Sequence, residues 1–476
     1  MIYSCGIISF TITTKDELTE MREMSQALSE PRDPRIYQEY KQALQQLFQL
    51  TRFGEKQDLS TVYALNQALG NPLRSYQSIL IGGTNGKGST THYVHHLAYK
   101  AGYKVASFTS PHLISFRERL RINTHYIDHQ SVIEGVALIF EVAQQHKIQM
   151  SFFEATWALA AWYFARQKVE YVIWEIGLGG RLDACNVCDP ILSAITSIGL
   201  DHTHVLGDTL EQIASEKMAI YRKGRPALTS AHGPGLEALK KMYAGSLKVC
   251  HTIPVALHED FPWPHQQRNV ALALQIAHQL QWPIHTEALR QYTWPGRLES
   301  LAGFYLDCAH NPAAARVLAA WLQRRKTQTP TTEIHVIFGS SQDKDVTSML
   351  SVLAPYVDRW TWVTPQYPRC NQAQVLYQTY QSLLESLPPL DDQAHTTSSF
   401  SVNHRCIDSV AHALQQEQKQ GYTQQQDETT QKDHAQVYKF TNTCTVITGS
   451  CFLVGEARAY LLGLNFPEMN LFTTAR

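Results

Sequence analysis

Apolar residues recur along this chain in two rhythms. Short continuous runs at residues 79–81, 104–108, 169–174 and 191–198 read as buried strands, bounded by glycine or polar clusters. Between them the spacing is helical. Val94, Leu97, Ala98 and Ala101 share one face, as do Trp157, Ala160, Ala161 and Phe164. Amphipathic helices are predicted over 36–50, 59–69, 131–146 and 210–222, and another within 262–274. At Trp294-Pro295-Gly296-Arg297-Leu298-Glu299 the pattern breaks at a rigid turn and then restarts. Strands are expected at 304–306, 334–338, 360–364 and 446–448, with a helix over 313–325. Alternating β and α elements predict an α/β fold in two domains. Residues 36–296 form the first and 297–476 a smaller, nucleotide-fold-like second. Residues 1–35 read as a disordered extension. Residues 388–436, rich in Gln, Asp, Thr and Ser, read as a flexible insertion with one short helix near 407–414.

Composition narrows the function classes. With 44% hydrophobic residues the 476-residue chain has ample material for packed cores. A formal net charge of −1 gives no global field for nucleic acid or anionic lipid. No apolar run approaches the roughly 20 residues that cross a bilayer. The first 21 residues lack a basic region and a small-residue cleavage site, so they do not read as a signal peptide. Nine scattered cysteines, with a single CxxC at Cys185 and Cys188, favour buried thiols in a reduced, cytoplasmic protein over a zinc site or a disulfide framework.

The chemistry concentrates at strand ends. Residues 78–101 read strand, glycine-rich turn, helix, with Gly83-Thr84-Asn85-Gly86-Lys87-Gly88-Ser89 at the turn. Backbone N–H groups freed by the glycines, a helix N-terminus and the Lys87 charge together predict a phosphate-binding loop. Gly88 stands where such loops carry the Ser or Thr that meets magnesium, so the hydroxyl must come from elsewhere. Ser110, just past the second strand, is one source; it is equally a turn serine before Pro111. Glu175 ends an apolar strand where P-loop enzymes hold a magnesium-binding acid. His202 follows the next strand as a ligand, an acid/base group or a structural histidine. Glu154 either binds substrate or complements a helix dipole, and Phe152 and Phe153 either fill core or flank a flat ring. Lys217 falls on the apolar stripe of its helix. It either snorkels or is buried with a depressed pKa, in which case CO₂ can carbamylate it.

Taken in order, GTNGKGS at 83–89, TSPHL at 109–113, SFFE at 151–154, EIGLGGRLDACN at 175–186, LDHTHVLG at 200–207, IASEK at 213–217, HQQRN at 265–269, WPGRLE at 294–299 and DCAHNP at 307–312 resemble the bacterial folylpolyglutamate synthase/dihydrofolate synthase family of the Mur ligase superfamily. The resemblance covers roughly 36–455. It departs at the N-terminal extension, at the Gln-rich insertion and at Cys185, where the family often has Thr. It implies a P-loop ATPase domain followed by a Rossmann-like domain. The implied enzyme is an ATP- and Mg²⁺-dependent ligase joining L-glutamate to dihydropteroate or tetrahydrofolate through an acyl phosphate. By resemblance, Thr84, Asn85, Gly86, Lys87, Gly88, Ser89, Asn269, Arg297 and Asp307 bind ATP, and Ser110, Glu175 and His202 bind metal. Ser151, Phe152, Phe153, Glu154, Leu182, Asp183 and Ala184 flank the pterin. Lys217 is carbamylated, and Asp307 and His310 place the acyl phosphate and the incoming amine. A cytoplasmic monomer without nucleic-acid or membrane partners is implied as well.

Two rivals differ in sequence. Peptidoglycan Mur ligases share the chemistry but put Thr directly after the loop lysine and usually carry a further domain before it. A P-loop switch protein would need an Asn-Lys-x-Asp base-reading run, which is absent, and would leave the second-domain motifs without a role.

Overall fold

The computed structural model describes residues 25–51, 58–290, 294–386, 404–420 and 443–464. Among the described residues two compact units emerge, one from residues 30–294 and one from residues 295–464 together with 25–29.

The first unit is built on β1 (Gln77–Gly82), β2 (Val105–Phe108), β3 (Leu120–Ile122), β4 (His125–Tyr126), β5 (Tyr171–Glu175), β6 (Pro190–Ile195), β7 (Ala227–Thr229) and β8 (Leu247–Val249). Their order across the sheet is β4-β3-β2-β5-β1-β6-β7-β8. β1 lies inside it, parallel to β5 on one side and β6 on the other, with Ile81 opposite Glu175 and Gly82 opposite Ile195. Side chains of a strand alternate between faces. Ile79 and Ile81 enter one core with Val94, Leu97 and Ala98 of the helix Lys87–Lys100 and Ala273 and Ile276 of the helix Pro264–Gln279. Leu80 enters another with Trp157, Leu159 and Trp174, beneath the helices His129–Gln145 and Phe152–Arg166. A strand covered on both faces is apolar throughout, which is why β1 shows no alternation in sequence.

The second unit carries β9 (Arg297–Leu301), β10 (Phe304–Asp307), β11 (Glu333–Phe338), β12 (Arg359–Val363), β13 (His404–Ile407) and β14 (Thr443–Thr448), ordered β13-β12-β11-β14-β10-β9. All pairings are parallel except that of β9 with β10. Trp360 and Trp362, two apart on β12, are fully buried and stacked with ring centroids 4.8 Å apart.

Several expectations need correction. The polar stretch 388–436 contains a strand, β13, parallel to β12, followed by the helix Val410–Gln420. That helix is anchored by a buried ion pair. Arg359 donates from Nη1 and Nη2 to the two Glu417 oxygens at 2.8 and 2.9 Å. Burial alone would raise the Glu417 carboxyl, but the His335 ring, whose Nδ1 lies 3.2 Å from Glu417 Oε2, and the Arg359 guanidinium outweigh it and hold the group down to about 2. The rest of that stretch, and residues 1–24 of the expected extension, lie outside the described residues. Of the extension's remainder, Leu28 is buried, and the Asp33 carboxylate caps the helix Pro34–Gln49 by accepting from Arg35 N at 2.8 Å. The helix predicted to reach residue 222 is Leu210–Met218. The chain turns there because Arg222 reaches back, donating to Ala219 O at 3.0 Å and Asn186 O at 2.7 Å. Among the described residues no helix is long and apolar enough to cross a membrane.

Candidate active site

β1 runs into a loop whose backbone only glycine tolerates at two points. Gly83 has φ +140°, and a Cβ there would lie 1.9 Å from Thr196 Oγ1. Gly86 has φ +88°, and its Cβ would lie 2.5 Å from Asn269 Oδ1. The loop is latched to the tail of β6. Thr84 N donates to Ser197 O and Asn85 N to Ser197 Oγ, both at 2.9 Å, and Thr196 Oγ1 donates to Asn85 O at 2.7 Å. Thr84 Oγ1 donates to Gly199 O at 3.1 Å. These bonds hold the N-terminus of the helix Lys87–Lys100 open at the loop, with Lys87, Gly88 and Ser89 in its half-buried first turn.

Two lysines meet at this loop. Lys87 Nζ donates to Gly83 O at 3.0 Å and Thr84 O at 3.1 Å. Lys217 Nζ, on a side chain only 4% exposed, donates to Gly83 O at 3.1 Å. Burial, and next the charge of Lys87, bring the Lys217 amine down to about 7 against the opposing pull of Asp201, Asp183 and Glu216. Lys217 therefore does not snorkel.

Glu175 ends β5 beside the loop and is 4% exposed. Its Oε2 accepts from Ser110 N at 3.1 Å. A Cβ on Gly88 would stand 3.6 and 3.7 Å from its two carboxylate oxygens. Lys87, Gly88, Ser110 and Glu175 thus gather at the carboxyl ends of adjacent parallel strands, where open α/β sheets bind ligands. Half-exposed His202 lies beyond β6 with φ +49°, its backbone N–H donating to Asp201 Oδ1 at 2.9 Å.

The residues expected around a pterin divide by burial. Ser151 and Glu154 close a capping box. Glu154 Oε2 accepts from Ser151 N at 2.7 Å and from Ser151 Oγ at 2.8 Å. Phe152 is core, 5.5 Å between centroids from Phe48, with the Arg119 guanidinium over its ring. Asp183 is turned into its own loop, accepting from Gly177 N at 2.9 Å, Leu178 N at 3.1 Å and Cys185 N at 3.0 Å. Ala184 is fully buried. Phe153 and Leu182 are the two of the set with substantial exposed surface.

In the second unit, Asp307 ends β10 opposite Arg297 of β9. Its carboxylate accepts from Leu298 N and Ala309 N, both at 2.9 Å. Burial raises the Asp307 carboxyl, and Arg297 opposes that. His310 Nδ1 lies 2.8 Å from Cys308 O. Asn311 caps the helix Pro312–Gln328 by accepting from Ala314 N at 2.9 Å. Thr196 and Ser197, which latch the loop, were not singled out in the sequence, where they fall inside the strand expected over 191–198; β6 ends at Ile195 and frees them.

The Mur ligase middle domain matches residues 81–242, and the Mur ligase glutamate ligase domain matches 296–422. The dihydrofolate synthase/folylpolyglutamate synthase of Bacillus subtilis is 33% identical over 372 residues, 68% of this chain and 85% of that protein. The chain belongs to the dihydrofolate synthase/folylpolyglutamate synthase family. Among solved structures, folylpolyglutamate synthase of Mycobacterium tuberculosis complexed with ADP superposes with a TM-score of 0.72 at 28% identity, covering 90% of this chain and 99% of that one. A bifunctional folylpolyglutamate synthase/dihydrofolate synthase with Mn, AMPPNP and L-glutamate bound gives 0.66 at 26% identity, covering 86% and 95%. The two-domain α/β architecture is that of the family, and Mur-type ligase domains carry both residue groups. The middle-domain match contains the loop, Ser110, Glu175, His202 and Lys217. The glutamate ligase match contains Arg297, Asp307 and His310.

Proposed function

We propose that the protein is an ATP-dependent ligase that adds L-glutamate to the carboxylate of dihydropteroate, of tetrahydrofolate, or of both. The observation that carries this reading is the meeting of Lys87, Lys217 and Glu175 at a loop built for phosphate, in a chain of this family. In the reaction the substrate carboxylate takes the γ-phosphoryl group of ATP, and the resulting acyl phosphate is displaced by the amine of glutamate. Two anions must be brought together, so neutralisation and positioning are the main tasks of the protein.

Each residue has a part in that scheme. The N–H groups of Thr84–Ser89 cradle the phosphates, and Lys87 exchanges its loop carbonyls for phosphate oxygens. Asn269, seated against Gly86, borders the nucleotide. Phe153 and Leu182 offer apolar surface to the pterin, while Ser151, Phe152, Glu154, Asp183 and Ala184 shape the walls behind them. Asp307 and His310, within the glutamate ligase domain match, are the polar groups offered to the amine of glutamate.

The donor chemistry at the loop fits magnesium. Among the described residues no group of three or more His, Cys, Asp or Glu is placed to hold a metal ion. Magnesium requires no such cage, because it keeps several waters and takes one or two carboxylates plus phosphate oxygens. Glu175, Ser110 and His202 would hold it, and when bound it neutralises phosphate charge. Lys217 is the carbamylation site. A buried amine near 7 is substantially neutral at physiological pH, as attack on CO₂ demands, and the carbamate sets an anion beside Lys87. A cytoplasmic location suits the cysteines among the described residues, all eight of them free thiols.

ADP release with dihydropteroate, with tetrahydrofolate or with a UDP-muramoyl acid, each with and without glutamate, tests the reading. Glutamate-dependent release is expected with a pterin substrate. Release with the muramoyl acid alone would replace this function by peptidoglycan ligation.

A further inference from the structure

Residues 109–119 join β2 to β3, which pair antiparallel with Phe108 opposite Leu120. This connection carries Ser110, whose backbone N–H reaches Glu175 Oε2 at 3.1 Å. Because that bond is made by the backbone, the place of the Ser110 hydroxyl follows from the path of the chain on either side of it. The path is held from Glu118 and Arg119. Before Ser110, Thr109 N donates to Arg119 O at 3.0 Å and Thr109 Oγ1 to Glu118 O at 3.4 Å. After it, Arg119 Nε donates to His112 Nδ1 at 2.8 Å. The Glu118 carboxylate accepts from Leu113 N at 3.1 Å, Ile114 N at 2.8 Å and Ser115 N at 2.7 Å. Ser110 and Pro111 therefore bridge between two fixed points.

A capping box accounts for part of this. Ser115 caps the short 3₁₀ helix Phe116–Arg119, and Glu118 closes the box on Ser115 N. Such a box asks its carboxylate for one amide, that of the cap residue. Here the carboxylate takes three in a row, and the other two lie on the Ser110 side of the cap. Glu118 thus gathers the chain toward Ser110 as well as starting a turn. Arg119 is buried and its guanidinium cannot give up its proton, so His112 is fixed as an acceptor at Nδ1.

We propose that Glu118 is a positioning residue for the divalent metal: by binding Leu113, Ile114 and Ser115 it keeps the Ser110 hydroxyl beside the Glu175 carboxylate. This rests on the ligase reading above, in which Ser110 and Glu175 hold the ion. The Glu118 oxygens are taken up by amides, so the residue acts through the loop and not as a ligand. Groups that orient a metal ligand from behind change metal affinity roughly ten- to a hundredfold when altered. Glu118→Gln cuts selectively. Its carbonyl oxygen serves Ile114 and Ser115 as Oε1 does now, while its NH₂ faces Leu113 N–H, donor against donor. The end of the loop nearest Ser110 is released and the turn behind it stays.

The test titrates the full-length protein with Mn²⁺ in the presence of ADP and reads free Mn²⁺ by electron paramagnetic resonance, Mn²⁺ standing in for magnesium. Binding of a fluorescent ADP analogue in EDTA gives the nucleotide affinity without metal. Glu118→Gln should raise the Mn²⁺ dissociation constant about tenfold and leave the metal-free nucleotide affinity unchanged. Glu118→Asp keeps the charge but falls a methylene short, so it should lie between wild type and Glu118→Gln. It decides the matter if circular dichroism shows Glu118→Gln unfolded. Asp33→Ala removes the cap of the helix Pro34–Gln49, which lowers stability in the same unit, and should leave Mn²⁺ affinity unchanged. Equal Mn²⁺ affinity in wild type and the Glu118 variants would overturn the role. A parallel fall in metal-free nucleotide affinity, or the same loss in Asp33→Ala, would overturn it too. A wild type that binds ADP but no Mn²⁺ would overturn the metal site and the role of Glu118 with it. The expected Mn²⁺ pattern in a protein without glutamate-dependent ADP release would count against the ligase reading alone.

Discussion

Lys87 and Lys217 donate to the same carbonyl oxygen, that of Gly83, at 3.0 and 3.1 Å. Two cations sharing one acceptor repel each other, and one of them is buried. The arrangement is stable only if the buried amine gives up its proton or gains an anionic group. The low Lys217 pKa expresses the first solution, and carbamylation would supply the second.

Lys217 should therefore impose a pH dependence on stability. Its folded-state pKa, about 7, lies below its ordinary 10.5, so between these values the unfolded chain binds the extra proton. The penalty for burying it is complete below about pH 7 and disappears as pH rises toward 10.5. Stability should rise with pH across that window by up to roughly 1.4 kcal/mol per unit. Urea unfolding of ligand-free protein in CO₂-free buffer should show this slope. Lys217→Met should flatten it.

The modification itself is checked by activity and by spectroscopy. Lys217→Ala should lose turnover and regain part of it with added short carboxylates, which fill the vacated anionic position. Lys217→Arg should not respond, since a guanidinium neither carbamylates nor leaves room. With ¹³C-labelled CO₂, the wild type should show a carbamate resonance that both variants lack.

Lys87→Ala should abolish ADP formation while the protein stays folded, because the side chain is half-buried and caps carbonyls rather than filling a core. Circular dichroism and a turnover assay on the same preparation decide it. Normal turnover would remove the phosphate-loop assignment.

The two candidate carboxylates should part company. Glu175→Gln keeps the size of the side chain and removes its charge, so turnover should fall by orders of magnitude with altered metal dependence. Glu154→Gln should act mainly on stability. It weakens a capping box worth about 1 kcal/mol, visible as a lower melting temperature with turnover near normal. The opposite pattern would exchange their roles.

Gly83→Ala should be severe. A methyl group placed 1.9 Å from Thr196 Oγ1, at a φ that L-residues rarely adopt, forces the loop away from β6. Thermal unfolding and nucleotide binding should both deteriorate. Gly102→Ala, at φ +94° with no atom within 4 Å of the new Cβ, should be milder.

The glycine loop at 83–89, the strands leading to it and the polar groups at their tips were readable because a buried parallel strand and a glycine turn leave local marks. The helical stripe put Lys217 on the apolar face of its helix but left snorkelling and burial both open. β13 was not readable, because His404-Arg405-Cys406-Ile407 carries little apolar pattern and is ordered by partners distant in sequence. Nor could sequence reveal that Asp183 bonds its own loop, or that Ser151 and Glu154 bond each other. A carboxylate facing a ligand and one facing a backbone amide look alike in sequence.

β1 is hydrogen-bonded on both sides and buried along nearly its whole length. Its amides can exchange with solvent only when the sheet around them comes apart, so the base of the 83–89 loop belongs to the slowest-exchanging part of its unit. Heat or denaturant cannot loosen that anchor by fraying. In the first unit, nucleotide-binding capacity and global structure should vanish at a common midpoint, and milder damage at its surface should leave binding intact.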